Sequence, residues 1–392
     1  MARIKVATAR VNYPELRCIC NEEFFDLINM ENYDYYKYKN KILRLFGSKD
    51  EGYIFRDLLS SLHKQIDFYV TFNYIPITKK NWGVVFETTI PRMDSIADIH
   101  RLQDGEVDYS KRKDVYKYLS LLSKDNCKFI NTLSKSAFDI QNKMLSSYPE
   151  FSDTIKNKIR IKHPPQRINL FDKKINNSET LNFIFVGNDF YRKGGAEVIL
   201  AFDSLISDGV ISPRNINLNI VGDINKKTNY VLGGFQDDDD FFEGIEKIII
   251  ENDYINHYSR LKNEDLMLLV SHQDVGLLPT WGDTYGYSVL EMQSWLVPVI
   301  STSVRALPEI NLPSNIIDIP TNSFGEIVIV SESHKFQVRE SIVEQLKKKI
   351  MSCYNDRTSI IISGKISVLN LKNKHDPEVY FQTLKNDIES NM

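Results

Sequence analysis

Asp283 and Glu291 stand eight residues apart in the stretch 278–310, on either side of Gly286-Tyr287-Ser288. That stretch reads as a short buried strand, a polar loop, a helix and a second strand. The glycine and the two residues after it would then open the helix. The first N–H groups of a helix lack intrahelical partners and its macrodipole favours negative charge, so this start suits an anion. A carboxylate just before the anion site and another one turn inside the helix suit a ligand with both a phosphate and a sugar.

A second loop offers the same kind of ligand its cations. Residues 187–195 (GNDFYRKGG) follow an apolar strand at 183–186 and put Arg192 and Lys193 just before two glycines that open a helix. Glycine lets the backbone approach a phosphate, and arginine can hold phosphate oxygens bidentately. A charge-assisted hydrogen bond is worth about 1.5–3 kcal/mol net, roughly 10- to 150-fold in affinity.

The elements that must position these loops alternate. Val198, Ala201, Phe202, Leu205 and Ile206 mark one face of a helix. Strands are expected at 218–221, 247–250, 275–278 and 297–300, with a further helix at 264–272. Such alternation predicts a parallel, doubly wound sheet. No GxGxxG follows the first strand, which argues against a dinucleotide site. Beyond residue 310, short strands are expected at 316–319 and 327–330, a helix at 337–353 and a polar helical segment at 366–392.

The first half reads less regularly. Strands are expected at 4–11, 67–73, 82–87, 127–133 and 158–163, with helices at 111–123 and 135–145. Tyr33, Tyr35, Tyr36 and Tyr38, interleaved with Lys37 and Lys39, fall in an expected polar loop; such a cluster suits half-buried packing, sugar stacking or a membrane interface. Glu87 sits beyond the end of a strand, where open α/β sheets place ligands, and is a candidate catalytic residue. The polar stretch 164–180, opened by Pro164-Pro165, is the expected linker.

At 392 residues, two domains are the default, here taken as 1–170 and 171–365, followed by a segment 366–392. Residues 1–170 carry 28 Lys and Arg against 21 Asp and Glu, whereas 171–392 carry 21 against 31. The basic first half could face an anionic acceptor or an anionic membrane surface, and nucleic acid is not expected as a partner. The four cysteines form no zinc pattern and suit free thiols in a reducing compartment. With no signal-like opening and no 18-residue apolar run, a cytoplasmic protein is expected, at most peripheral on the inner face of the cell membrane.

The segments VGNDFYRKGGAEVILAF and PTWGDTYGYSVLEMQSW, with PVISTSVRALPEI after them, resemble the donor-binding half of retaining glycosyltransferases of family four. The resemblance covers about residues 181–310 and is faint over the first half. It implies the GT-B fold, in which two Rossmann-like α/β domains face a cleft and a C-terminal helix, here within 366–392, commonly crosses back onto the first domain. Members typically carry Glu-x7-Glu where this chain has Asp283-x7-Glu291. The resemblance implies that Glu291 binds the nucleotide ribose and Asp283 contacts the donor sugar. Arg192 and Lys193 would neutralise the diphosphate, and Gly286, Tyr287 and Ser288 would bind it at the helix start. His257, beside Tyr258, could line the base pocket.

Four departures stand out. Asp283 is one methylene shorter than the usual glutamate. Asn188 replaces an arginine common after the first-strand glycine. Glu87 stands where many members have a histidine near the transferred sugar, and the N-terminal glycine-rich loop is absent.

The chemistry implied is sugar transfer from a nucleoside diphosphate donor to a glycan or lipid-linked glycan acceptor, as in bacterial O-antigen or capsule synthesis. The departing diphosphate would be stabilised by Arg192, Lys193 and the helix dipole, with no metal and no other cofactor. The run Asp237-Asp238-Asp239-Asp240 contains a metal-like Asp-x-Asp, but contiguous like charges suit a solvated loop better. An inactive nucleotide-sugar-binding or scaffold protein of the same fold is the alternative; a phosphorylase or epimerase is a third.

Overall fold

Runs of β-branched and aromatic residues buried on both faces form the central strands of two parallel sheets. The computed structural model describes residues 3–46, 53–58, 65–110, 112–169 and 180–392. Most of the linker expected at 164–180, and Lys111 at the start of an expected helix, lie outside those residues.

The chain opens with β1 (Ile4–Thr8), α1 (Tyr13–Cys18), β2 (Phe25–Asn29), α2 (Tyr35–Leu45) and a short β3 (Ile54–Phe55). Next come β4 (Phe68–Phe72), β5 (Ile75–Pro76), β6 (Trp82–Phe86), α3 (Asp94–His100) and α4 (Tyr116–Leu122). β7 (Cys127–Thr132), α5 (Lys135–Leu145), α6 (Pro149–Lys156) and β8 (Ile159–Ile161) complete this part. Its parallel sheet has the order β2-β1-β4-β6-β7-β8, and β3 pairs with β5 apart from it. The tyrosine-rich stretch expected as a loop is largely helical. Asp34, extended at the N-cap, accepts the Tyr36 N–H at 3.0 Å, the bond that starts α2.

The second part runs β9 (Leu181–Asp189), α7 (Gly195–Ser207), β10 (Ile216–Asp223), α8 (Asp239–Glu251), β11 (Ile255–Tyr258) and α9 (Asn263–Ser271). It continues through β12 (Val275–Leu278), α10 (Tyr287–Gln293), β13 (Val299–Thr302), α11 (Leu307–Ile310) and β14 (Ile316–Ile317). Three helices follow: α12 (Glu332–Asn355), α13 (Arg357–Lys374) and α14 (Pro377–Glu389). The sheet order is β11-β10-β9-β12-β13-β14, all parallel.

Two strand expectations are corrected here. Residues 247–250 belong to α8, where Phe242, Ile245 and Ile249 are buried at helical spacing and Ile250 points to solvent. The neighbouring strand is β11, five residues beyond. Residues 327–330 form no strand, although Ile327 is buried.

The chain divides into two units: Met1–Pro165 with His375–Met392, and Gln166–Lys374. The boundaries therefore fall at 165/166 and 374/375, against the expected 170/171 and 365/366. α14 is part of the first unit. Asp387 pairs with Arg160 at 2.7 Å and with Lys162, Tyr380 donates to the Cys18 carbonyl at 3.1 Å, and His375 meets the Pro164 carbonyl at 2.8 Å. Among the described residues, no helix is long and apolar enough to cross a membrane.

Candidate functional site

In the second unit the chain builds outward from β9 in both directions, through β10 and β11 on one side and β12 to β14 on the other. Crevices beyond the carboxyl ends of the two strands flanking such a reversal are where open α/β sheets take ligands. The loops leaving β9 and β12 carry Arg192-Lys193 and Asp283, so the topology brings together residues 90 positions apart in sequence.

The two loops are tied to each other. The Arg192 carbonyl accepts the Trp281 N–H at 2.9 Å and the Thr280 hydroxyl at 3.2 Å. Its guanidinium donates through Nη1 to the Gly282 carbonyl at 2.5 Å, pairs with Asp189 and lies 5.3 Å from the Tyr230 ring centre. Thr280 also donates to the Gly282 carbonyl at 2.9 Å, and Thr302 holds the Thr280 carbonyl at 2.6 Å. Gly194 has φ +85°, and a Cβ there would sit 2.1 Å from the Pro279 carbonyl oxygen. Only glycine allows the loops this approach.

Lys193 Nζ lies 2.5 Å from Asp283 Oδ2, with side chains 16% and 12% exposed. Burial alone would raise the Asp283 carboxyl. Lys193, Arg192 and the Thr284 N–H outweigh it and hold the carboxyl below its ordinary value. Burial holds the Lys193 ammonium below the ordinary lysine value despite Asp283. Asp189 is likewise lowered: burial opposes its charge, and Arg192 and Lys226, the latter 3.1 Å away, prevail. Three cations thus face two carboxylates, a surplus of positive charge at the sheet's switch point.

Gly286 caps α10 in the left-handed region, φ +90°, with a position for Cβ only 2.5 Å from Leu307 Cδ2. Tyr287 and Ser288 form the first turn, half-buried, and Glu291 lies half-buried further along the same helix. His257 stands on the edge strand β11, and its Nε2 is 2.9 Å from the Gly222 carbonyl rather than on the Arg192–Asp283 cluster. Glu87 belongs to the first unit. There it pairs with Arg92 and lies 3.5 Å from Asn73 Nδ2.

Several participants carry no local sequence signal: Asp189, Lys226, Tyr230 and Thr280. The acid run departs from expectation in part. Asp237, its side chain 6% exposed, takes both forks of Arg339, at 3.0 and 2.7 Å, with Lys335 at 3.2 Å. Arg339 Nε donates to buried Glu197 at 2.9 Å, and its guanidinium lies 5.6 Å from the Trp281 ring centre. Asp238 caps α8, and Asp239 and Asp240 fill its first turn. The run is therefore a helix start whose last three acids are exposed to solvent, as expected, while Asp237 is an ion-pair anchor whose contacts across 102 residues gave it no readable spacing.

Residues 166–359 match the family described as glycosyl transferases group 1. An uncharacterized 41.2 kDa protein in the cps region of Klebsiella pneumoniae is 31% identical over 142 residues. That match spans about a third of each protein, 35% of this chain and 33% of the other. Among solved structures, a UDP-forming trehalose-phosphate synthase from Burkholderia xenovorans is similar with TM-score 0.59 at 11% identity, covering 99% of both chains. A glycosyltransferase from Rickettsia africae ESF-5 gives 0.56 at 11%, over 100% of this chain and 99% of that one. Anabaena HepE, solved in complex with UDP and glucose, gives 0.55 at 9%, over 99% and 100%. The fold is GT-B, with two Rossmann-like domains.

Proposed function

We propose that this chain, a GT-B protein whose second unit matches the group 1 glycosyl transferases, moves a sugar from a nucleoside diphosphate donor to a glycan or lipid-linked glycan acceptor. The observation that carries the reading is the meeting of Arg192, Lys193 and Asp283 where the strand order reverses. When the anomeric C–O bond breaks, its electron pair goes to the diphosphate oxygen. Lys193 and the α10 start offset that charge without a metal, and transfer proceeds with retention. Fixed charges in a site shielded from water need no rearrangement as the bond breaks. Arg192 acts largely through its ties: it fixes the loop that presents Asp283 and adds positive charge.

Asp283, held charged beside Lys193, is the sugar-side residue. Glu291 is the ribose anchor, His257 lies toward the base, and Glu87 lies toward the acceptor. The partial match to a protein from a cps region supports a place in bacterial surface polysaccharide synthesis.

The test is nucleoside diphosphate binding in EDTA, followed by transfer or hydrolysis of nucleotide sugars. Glu291→Ala should weaken binding about tenfold or more, the value of one charge-assisted hydrogen bond. Asp283→Asn should lose turnover more than donor affinity. Full activity in both variants, or binding that needs a divalent metal, would refute the reading.

A further inference from the structure

α13 carries two apolar stripes, and only one of them faces the core of the second unit. Ile360, Gly364, Ser367, Val368 and Leu371 recur at helical spacing and are buried. A Cβ at Gly364 would sit 2.3 Å from the Leu296 carbonyl oxygen, so this side lies flat on the turn that follows α10. On the opposite side Ile362, Ile366 and Leu369 stand at i, i+4 and i+7, with Ile361 beside them. All four are between 42% and 57% exposed. Packing within the unit thus accounts for one face of the helix and leaves a row of aliphatic side chains in water. Single exposed apolar residues are ordinary, whereas a contiguous row on one fixed element marks an interaction surface.

The charge of the helix selects what covers that row. Residues 357–374 contain Arg357, Lys365, Lys372 and Lys374 and no acid. Asp356, just ahead of the helix, accepts the Ser359 N–H at 3.1 Å and so serves its start. Lys374 reaches back to the Glu309 carbonyl at 3.0 Å, whereas Lys365 and Lys372 are exposed along one edge of the aliphatic row. A second copy of this chain docked through the same row would set these lysines against their own equivalents, with no acid on the helix to meet them. A bilayer with anionic headgroups suits both features. The aliphatic side chains enter the headgroup boundary, and the lysines at the edge meet the surface charge.

We propose that the outer face of α13 docks the protein on an anionic membrane surface. The surface lies in the second unit, not in the basic first half that composition alone favours, and it would hold the protein where a lipid-linked acceptor resides. The test is cosedimentation of the full chain with vesicles of phosphatidylcholine alone and of phosphatidylcholine mixed with phosphatidylglycerol. The mixed vesicles should bind the protein about tenfold more tightly or better, and rising salt should weaken that binding. Ile362→Ser and Ile366→Ser should each weaken it about tenfold or more, the worth of an aliphatic side chain returned to water. Lys365→Gln and Lys372→Gln should each weaken it about fivefold. Urea midpoints should stay unchanged in all four variants, since each alters a side chain that faces solvent, and this shows that they are folded. Equal binding to both kinds of vesicle, binding indifferent to all four substitutions, or no binding to the mixed vesicles would overturn the proposal. So would a dimer in solution that the serine substitutions dissociate, because the row would then be covered by a second copy. Nucleoside diphosphate binding is scored separately. Failure with vesicles leaves the glycosyltransferase reading standing, and failure with nucleotide leaves this surface standing.

Discussion

Asp283 and Lys193 each titrate under the other's influence, and their pH behaviour follows from the signs. The Asp283 carboxyl binds a proton less readily in the folded chain than its ordinary value of 3.8 implies. Its contribution to stability is therefore complete above that value and is lost only as pH falls through the lowered folded one. Urea unfolding at a series of pH values should show a constant gap between wild type and Asp283→Asn from neutral pH down to that range, closing below it. At the alkaline end, burial lets Lys193 lose its proton below the ordinary lysine value of 10.5. Nucleoside diphosphate affinity should fall on an alkaline limb that begins below that value, and Lys193→Arg should remove the limb because guanidinium stays charged. The type and spacing of Asp283, Arg192 and Lys193 were readable because glycines and a helix start mark them locally. Asp189 and Lys226 were not: each matters only through a partner that the sheet, not the sequence, sets beside it.

The loops after β9 and β12 work as one piece because Gly194 permits their backbones to touch. Gly194→Ala puts a methyl group against the Pro279 carbonyl at a φ that alanine adopts only with strain. Strain and overpacking together should cost about 2–4 kcal/mol, read as a lower urea midpoint, with a matching loss of nucleotide affinity as Asp283 drifts from Lys193. Element types were legible where periodicity was long, as in α7, or where apolar runs were short and bounded, as in β4 and β6. They failed at residues 247–250, because a short apolar run looks the same on a strand and on the buried side of a helix. The deciding signal was local and present: Asp238 caps α8, and Phe242 and Ile245 set a helical spacing that includes Ile249. The tyrosine-rich segment, expected as a polar loop, failed because its cap, Asp34, went unread.

At the scale of the whole molecule, the alternation of strands and helices made the doubly wound second unit legible, and its strand order follows. The first unit was legible strand by strand, but its closure by α14 was implied only by the family resemblance, since no pattern tells a terminal helix which sheet it will cover. That closure rests on Asp387, whose carboxylate meets Arg160 and Lys162 at a side chain 10% exposed. Asp387→Ala leaves Lys162 nearly buried without its partner and should cost about 3 kcal/mol. The loss should be confined to the first unit. Its tryptophan, Trp82, would report an earlier transition, while Trp281 and Trp295 in the second keep theirs. The same closure has a consequence for biosynthesis. A chain emerging from the ribosome delivers Met1–Pro165 first, yet that unit lacks its last helix until residues 375–392 follow. The later-made unit, contiguous in sequence, is complete first, reversing the usual order of folding during translation. Until then the surface around Cys18 that α14 will cover is open to chaperones.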